Sequence, residues 1–354
     1  VTATAEPGRR PAAAGRLRDG ALGLGLAATL LATALVSLGI GRYGVPVDRV
    51  LTIAAGWIGA VDARAAVPET DWRVVELIRA PRILVAALVG AGLALSGAVL
   101  QGVFRNPLVG PQLIGVSSGA AFGGALAILF AAGTAAMIGS AFVFGLAAMT
   151  VVYALARQGG RTSVLTLVLA GVVVSAFFGA LVSLVTYLAD PNDSLPAIVF
   201  WLMGSFATAT FDKALVIGTA LGVLGSVLVA MRFRINLLSL GDEEASALGV
   251  AVERTRWAAL VCVTGIVAAS VAVAGIVGWV GLVVPHIARM LVGPDHRRLL
   301  PAAAAIGATY TILVDNVART ATAAEIPLGV LTAIIGAPVF AVLLRRTAMG
   351  GWRT

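Results

Sequence analysis

Few side chains in this 354-residue chain are equipped for chemistry. It has two histidines, His286 and His296, one cysteine, Cys262, and a single lysine, Lys213. A phosphate-binding loop requires glycine-rich backbone ending in Gly-Lys-Ser/Thr. Lys213 is preceded by Asp212 and followed by Ala214, so nucleotide hydrolysis by that route is excluded. His286 follows Pro285 at the end of an apolar run and lacks the companion ligands a metal centre needs; it reads as a structural imidazole. No cluster of His, Cys, Asp and Glu could hold a bare metal inside the apolar segments, so a metal in any cargo must arrive already chelated. A nucleophile–base pair is missing as well, which disfavours an intramembrane enzyme. Cys262 lies in an apolar run, and one cysteine makes no disulfide framework.

The one polar stretch of interest in the second half is Gly241-Asp242-Glu243-Glu244-Ala245-Ser246-Ala247-Leu248-Gly249-Val250. Its inner part suits a short helix, with acids near the N-terminal end where the helix dipole favours them. Glycines bracket it and allow sharp ends. Arg232 and Arg234 precede it; Arg254 and Arg256 follow. A short, charged knob of this kind is a handle for another protein.

The elements that must position these residues are membrane helices. The chain is 59% hydrophobic and 12% charged, against about 25% charged in a soluble domain. Several runs of about 20 residues carry no charge, the mark of transmembrane helices. Spans are predicted at 21–40, 83–104, 113–131, 137–156, 164–188, 214–231, 257–273, 276–288, 299–314 and 326–344, which makes an all-α polytopic protein of about ten helices. Residues 257–285 are too long for one span and too short for two, so a full helix followed by a short, broken one is expected, with Ala274-Gly275 and Pro285 as the breaks. Asp193–Phe211 reads as a partial helix that dips in and returns, and Val47–Ile58 as a surface helix in the outer segment 41–82. The first apolar run is read as a retained helix because Arg42-Tyr43, and no small-residue cleavage site, follows it.

The formal charge of +8 reflects a bias of arginine toward cytoplasmic loops and no nucleic-acid partner. With ten spans and an inner N-terminus, the 25 basic residues fall 17 inside and 8 outside, as the positive-inside rule requires. Both termini are then cytoplasmic: a tail at 1–20, a single membrane domain at 21–346 containing a cytoplasmic loop at 232–256, and a tail at 347–354. A proton- or sodium-coupled carrier keeps ionisable groups near the bilayer midplane, and the predicted spans hold essentially none. Ion-coupled transport or a channel is the alternative reading. The preferred one is a transport scaffold driven by a partner that pushes on the knob.

Four stretches resemble one family. They are Arg79-Ala-Pro-Arg82 with Gly90–Gly97; Gln101-Gly-Val-Phe-Arg-Asn106-Pro107-Leu108 continuing through Pro111 to Ala120; the Gly241–Val250 knob; and Gly275–Arg289 with Asp315-Asn-Val-Ala-Arg319 and Ile326-Pro327-Leu-Gly329. Together they resemble the FecCD-type permeases, membrane subunits of importers for ferric siderophores, haem and vitamin B12. The resemblance implies the type II ABC importer permease fold and a homodimer in the bacterial inner membrane. It implies two cytoplasmic ATPase subunits that hold ATP and Mg, a periplasmic or lipid-anchored binding protein, and no cofactor on this chain. An iron chelate is the expected cargo, cobalamin less so.

The resemblance also assigns residues. Gly241, Asp242, Glu243, Glu244, Ala245, Leu248, Gly249 and Val250 look like the coupling helix seated in an ATPase cleft, Leu248 and Val250 giving apolar contact and Glu243 and Glu244 a polar edge. Arg79, Arg82 and Arg319 match arginines that pair with acids on the binding protein, a task suited to the bidentate guanidinium. Their alternative is anchoring at the membrane edge, and for Arg319 an intrahelical pair with Asp315. Gln101, Asn106 and Pro107 close the second helix, either beside the path or as satisfiers of freed backbone. Thr162, Ser163 and Thr166 open the fifth helix near an inner gate, with interhelical packing as the alternative. Gly90, Ala94 and Gly97 read as packing positions.

Overall fold

The computed structural model describes residues 12–158, 161–162 and 164–349. The helices in chain order are α1 (Ala12–Gly39), α2 (Val47–Trp57), α3 (Ala63–Ala66), α4 (Glu69–Arg73), α5 (Ala80–Val103), α6 (Val116–Leu129), α7 (Gly133–Ala156), α8 (Val164–Leu188), α9 (Ser194–Leu202), α10 (Phe211–Ala220), α11 (Ser226–Ala230), α12 (Arg232–Leu238), α13 (Asp242–Ala247), α14 (Val252–Ala274), α15 (Val280–Val292), α16 (His296–Thr320) and α17 (Leu328–Met349). A π-helical turn at Val74–Arg79 joins α4 to α5, and another at Leu221–Gly225 joins α10 to α11. Strands β1 (Arg157–Gln158) and β2 (Arg161–Thr162) form one short antiparallel ladder after α7.

Among the described residues seven helical stretches are long and apolar enough to cross a membrane, and Val116–Leu129, Val280–Val292 and Leu328–Val342 are shorter apolar helices. Together they occupy the ten expected spans. Three boundaries differ. Helix α1 begins at Ala12, so much of the expected N-terminal tail is helix. The 232–256 segment holds, besides the expected short helix (α13), helix α12 and the first turn of α14. Helix α16 runs to Thr320 and therefore carries Asp315 and Arg319 inside its outer end.

Helix α5 is the hub. It packs most extensively on α16 and also on α15, α14 and α10, while α6, α7 and α8 form a neighbouring group and α1 lies against α16. Small residues set the approach. A Cβ at Gly90 would fall on Thr311 Oγ1 and the Gly307 carbonyl, and one at Gly307 on Ala94. Thr311 Oγ1 crosses the same gap and donates to the Ala86 carbonyl at 2.7 Å. Gly97 faces the Gly281 carbonyl. Pro285 lies inside α15 and has no N–H for that carbonyl four residues earlier, so Gly281 is freed to lie over the bare Cα of Gly97. Pro285 thus sits in a continuous helix and is not the break.

The break is Gly275–Trp279, where Gly275 (φ 71°) and Trp279 (φ 65°) turn the chain. It is one of three outer reversals hydrogen-bonded in series. Ser205 N donates to the Ala274 carbonyl at 2.9 Å, and Leu328 N and Gly329 N donate to the Gly204 and Met203 carbonyls at 2.9 Å each. Irregular backbone at membrane depth survives where protein buries it, and these three reversals bury one another. Helix α9 packs Ile198 against Ala125, Val185 and Ala189, so the 193–211 piece is a short helix tucked on α6 and α8.

Alanine at Gly97 should therefore destabilise the bundle by about 1–3 kcal/mol through overpacking. Gly139 on α7 has nothing within 4 Å of an added Cβ, and alanine there should be neutral or slightly stabilising. Thermal unfolding of the two variants in the same detergent checks the contrast; equal midpoints would contradict the assigned packing.

Candidate coupling site and outer charge network

Helix α13 is built by its ends. Gly241 (φ 151°) precedes it, Asp242, Glu243 and Glu244 fill its first turn, and Gly249 (φ 82°) stops it. Gly249 N donates to the Ser246 carbonyl and Val250 N to the Ala245 carbonyl, each at 2.9 Å. These two bonds form a Schellman C-cap, which requires the left-handed residue that glycine supplies. Ala245 is fully buried on the inner side.

One charged residue fixes this helix to the bundle. The Arg256 side chain is only 2% exposed and donates through Nη2 to both Asp242 carboxylate oxygens at 2.8 Å, and through Nη1 to Glu253 at 3.0 Å. Arg105 (φ 52°) lies 3.9 Å from the same Asp242. Asp242, expected with the partner-facing residues, is half-exposed and also anchors the helix to the bundle. Glu243, Glu244 and Leu248 do face out, Leu248 at 60% exposed. Val250 is half-buried. Leu240, at 59% exposed, brackets the knob on its other side; sequence reasoning missed it, although an apolar residue just before a charged helix was visible there.

Helix α12 links the knob to the membrane helices. Asn236 Nδ2 donates to Asp295 at 2.7 Å, and its Oδ1 accepts from the His296 backbone N–H at 2.9 Å and faces His296 Nδ1 at 2.7 Å. The Arg297 guanidinium beside Asp295 holds that carboxyl well below the usual carboxylate range. His296 is buried against Gly102 of α5. Helix α13 thus packs on α12, α12 is hydrogen-bonded to the start of α16, and α16 packs on α5. Asn236 and His296 were not singled out from the sequence, because neither residue type signals a partner 60 positions away.

The other assigned residues sit as follows. Gln101 donates to the Leu282 carbonyl at 3.2 Å and accepts from Arg289 at 3.1 Å, joining α5 to α15. Asn106 accepts from Leu108 N at 2.9 Å in the turn containing Pro107. Asn106 thus satisfies backbone beyond the end of α5, while Gln101 bridges two helices. Thr166 is half-buried in the first turn of α8. Thr162 pairs through its backbone with Arg157, and Ser163 lies outside the described residues.

The outer arginines are already partnered within the subunit. Arg79, Arg82 and Arg319 were expected where a binding protein's acids could reach them, yet they are 4%, 6% and 6% exposed. Arg82 donates to Asp315 at 2.8–3.0 Å and to Glu325 at 2.9 and 3.0 Å. Arg319 donates to the Ser37 carbonyl at 2.7 Å and to Asn316, and lies 3.6 Å from Asp315. Arg79 donates to the Leu38 and Gly39 carbonyls at 2.6 and 3.1 Å and to the Tyr43 carbonyl. It thereby satisfies orphan carbonyls at the C-terminal end of α1, where a cation is favoured. In this conformation the three residues staple α1, α5 and α16 together, a role distinct from anchoring at the membrane edge; only the Arg319–Asp315 pair matches an alternative read from the sequence. Tyr43 in turn donates to Asp71 at 2.6 Å, and this bond raises its phenol above the ordinary value.

The chain can now be set beside known proteins. Residues 29–346 match the model of the FecCD transport family. The molybdate import system permease MolB of Haemophilus influenzae is 47% identical over 92% of this chain and 96% of its own length. The cobalamin import system permease BtuC of Halobacterium salinarum is 43% identical over 81% of this chain and 77% of its own. A solved chain, from a structure described as the inward-facing conformation of a transporter assigned to the metal-chelate ABC type, superposes with TM-score 0.83 at 45% identity, over 93% of this chain and all of that one. A knob pinned on a ten-span bundle, with these likenesses across nearly its whole length, makes this chain a member of the FecCD transport family, a permease subunit of an ABC import system.

Proposed function

We propose that this permease works as a homodimer in the bacterial inner membrane and forms the path of an ATP-driven importer for a metal-bearing solute. Two cytoplasmic ATPases, holding ATP and Mg, seat on the two α13 helices, and a periplasmic or lipid-anchored binding protein delivers the cargo. The observation that carries this reading is the Arg256–Asp242 anchor: a short helix rigidly tied to the bundle, with apolar Leu240 and Leu248 turned outward. Such a knob passes a partner's motion inward without deforming. ATPase closure then shifts α12, and with it α16 and α5, through Asn236 and His296.

For cargo, the motif resemblance supports an iron chelate, ferric siderophore or haem, ahead of cobalamin. A second reading, molybdate, is favoured by the 47% identity to a molybdate permease over nearly the full chain. Docking of the binding protein through Arg79, Arg82 and Arg319 would require its acids to displace Asp315, Glu325 and the α1 carbonyls.

Proteoliposomes containing the permease, its ATPase and its binding protein should accumulate cargo only with ATP and Mg. Uptake without the ATPase under an ion gradient would establish the secondary-carrier alternative. Offering labelled molybdate, a ferric siderophore, haem and cobalamin in parallel separates the cargo readings: one is taken up at low concentration and the others are not.

A further inference from the structure

We propose that the cytoplasmic half of α1 holds an anionic phospholipid of the inner leaflet, its acyl chain in a groove against α16 and its phosphate at a cluster of arginines. The groove encloses about 360 Å³. Leu22, Leu26 and Leu30 of α1 form one wall; Pro301 and Ala305 of α16 lie in the other; Arg297 and Arg298 stand at its cytoplasmic end. The eight-residue step from Leu22 to Leu30 spans about 12 Å of helix, close to one leaflet of a hydrocarbon core about 30 Å thick. The groove therefore has the depth, polarity and position of a single inner-leaflet chain.

The mouth carries a second, independent signal. Phe233 of α12 is 54% exposed, and the Arg232 and Arg297 guanidinium carbons lie 5.4 and 5.3 Å from its ring centroid. Arg232 and Arg297 thus meet at Phe233, Arg298 lines the groove beside them, and Arg297 also meets Asp295 at 2.7 Å. Basic pockets between membrane helices on the cytoplasmic side suit anionic headgroups, and guanidinium binds phosphate bidentately.

The outer end of α1 supplies an internal contrast. A groove of about 560 Å³ lies between α1, α5 and α10, but its polar residues are Trp57 and Glu76, and Trp57 Nε1 donates to Glu76 at 2.6 Å. No Arg or Lys is among the described residues lining that groove, so it offers a phosphate no cation. The two grooves both reach Ala27 and Leu30, so charge at the mouth is what separates their headgroup preferences.

The experiment is native mass spectrometry of permease purified from bilayers containing equal phosphatidylglycerol and phosphatidylethanolamine. Wild type should retain phosphatidylglycerol in preference, by about fivefold for each arginine that contributes. R297Q/R298Q should bring the ratio near one, R297K/R298K should keep most of it, and E76Q should leave it unchanged. Ala305→Phe, which fills the groove, should release the lipid with the arginines intact; if that variant does not fold, Leu26→Trp fills the groove from the α1 side. The proposal is overturned by no headgroup preference in wild type, an unchanged ratio in R297Q/R298Q, a ratio that moves with E76Q, or full lipid retention in the groove-filling variant.

Discussion

Replacing Arg82 by alanine should cost the folded permease about 3–5 kcal/mol, the penalty of leaving a buried acid without its cation. Asp315 would remain with a side chain 1% exposed and only Arg319 nearby, at 3.6 Å. Glu325 would lose its ion-pair partner on α5, so the tie between α5 and the α16–α17 turn would open. The readout is unfolding in detergent without any binding protein, where a docking residue would have no effect. Arg82→Met combined with Asp315→Leu should recover a large part of the loss, because replacing both members of a buried pair with apolar groups is often close to neutral. A midpoint for R82A equal to wild type would refute the staple. The docking proposal is tested separately on the folded fraction of Arg79→Glu/Arg82→Glu: affinity for the binding protein should weaken, and more so at low salt. Unchanged affinity would leave these arginines with a structural role alone.

Leu248→Glu should abolish productive ATPase contact while leaving the permease as stable as wild type. Leu248 is 60% exposed in the isolated subunit, so the substitution removes little of the protein's own packing. In a cleft that excludes water, truncation of an apolar anchor costs about 2 kcal/mol or more, a factor of about 30 in affinity, and a carboxylate there adds an unpaired charge. Glu243→Ala at the rim should change affinity much less. Titration of the ATPase onto detergent-solubilised permease, with uptake in proteoliposomes, reads both effects. Wild-type affinity and uptake for Leu248→Glu would remove α13 from the coupling role. Arg256→Ala makes a useful companion, since it frees α13 from the bundle: the ATPase should still bind, and its hydrolysis should no longer drive uptake.

Much of the architecture was legible because it is written in local, one-dimensional terms. Uncharged runs mark spans, arginine bias marks the cytoplasmic side, and the surplus length of 257–285 announced a full helix plus a short one. The helix at 242–247 followed from acids after one glycine and a stop at another. Pro285 misled as a break, because whether a proline interrupts a helix depends on what receives the freed carbonyl, and here that is Gly97 of another helix.

Residue identity and order were sufficient to determine that this chain is a ten-span permease with a cytoplasmic knob and no nucleotide-binding loop of its own. The tertiary structure alone decided which charges face a partner and which hold the fold. Arg82 finds its acids 233 and 243 residues away, and Asp242 finds Arg256 across a turn. An arginine near the membrane edge looks the same in sequence whether it waits for a partner or is already paired. The difference lies in the cost of burying a charge, which only the positions of its neighbours can offset.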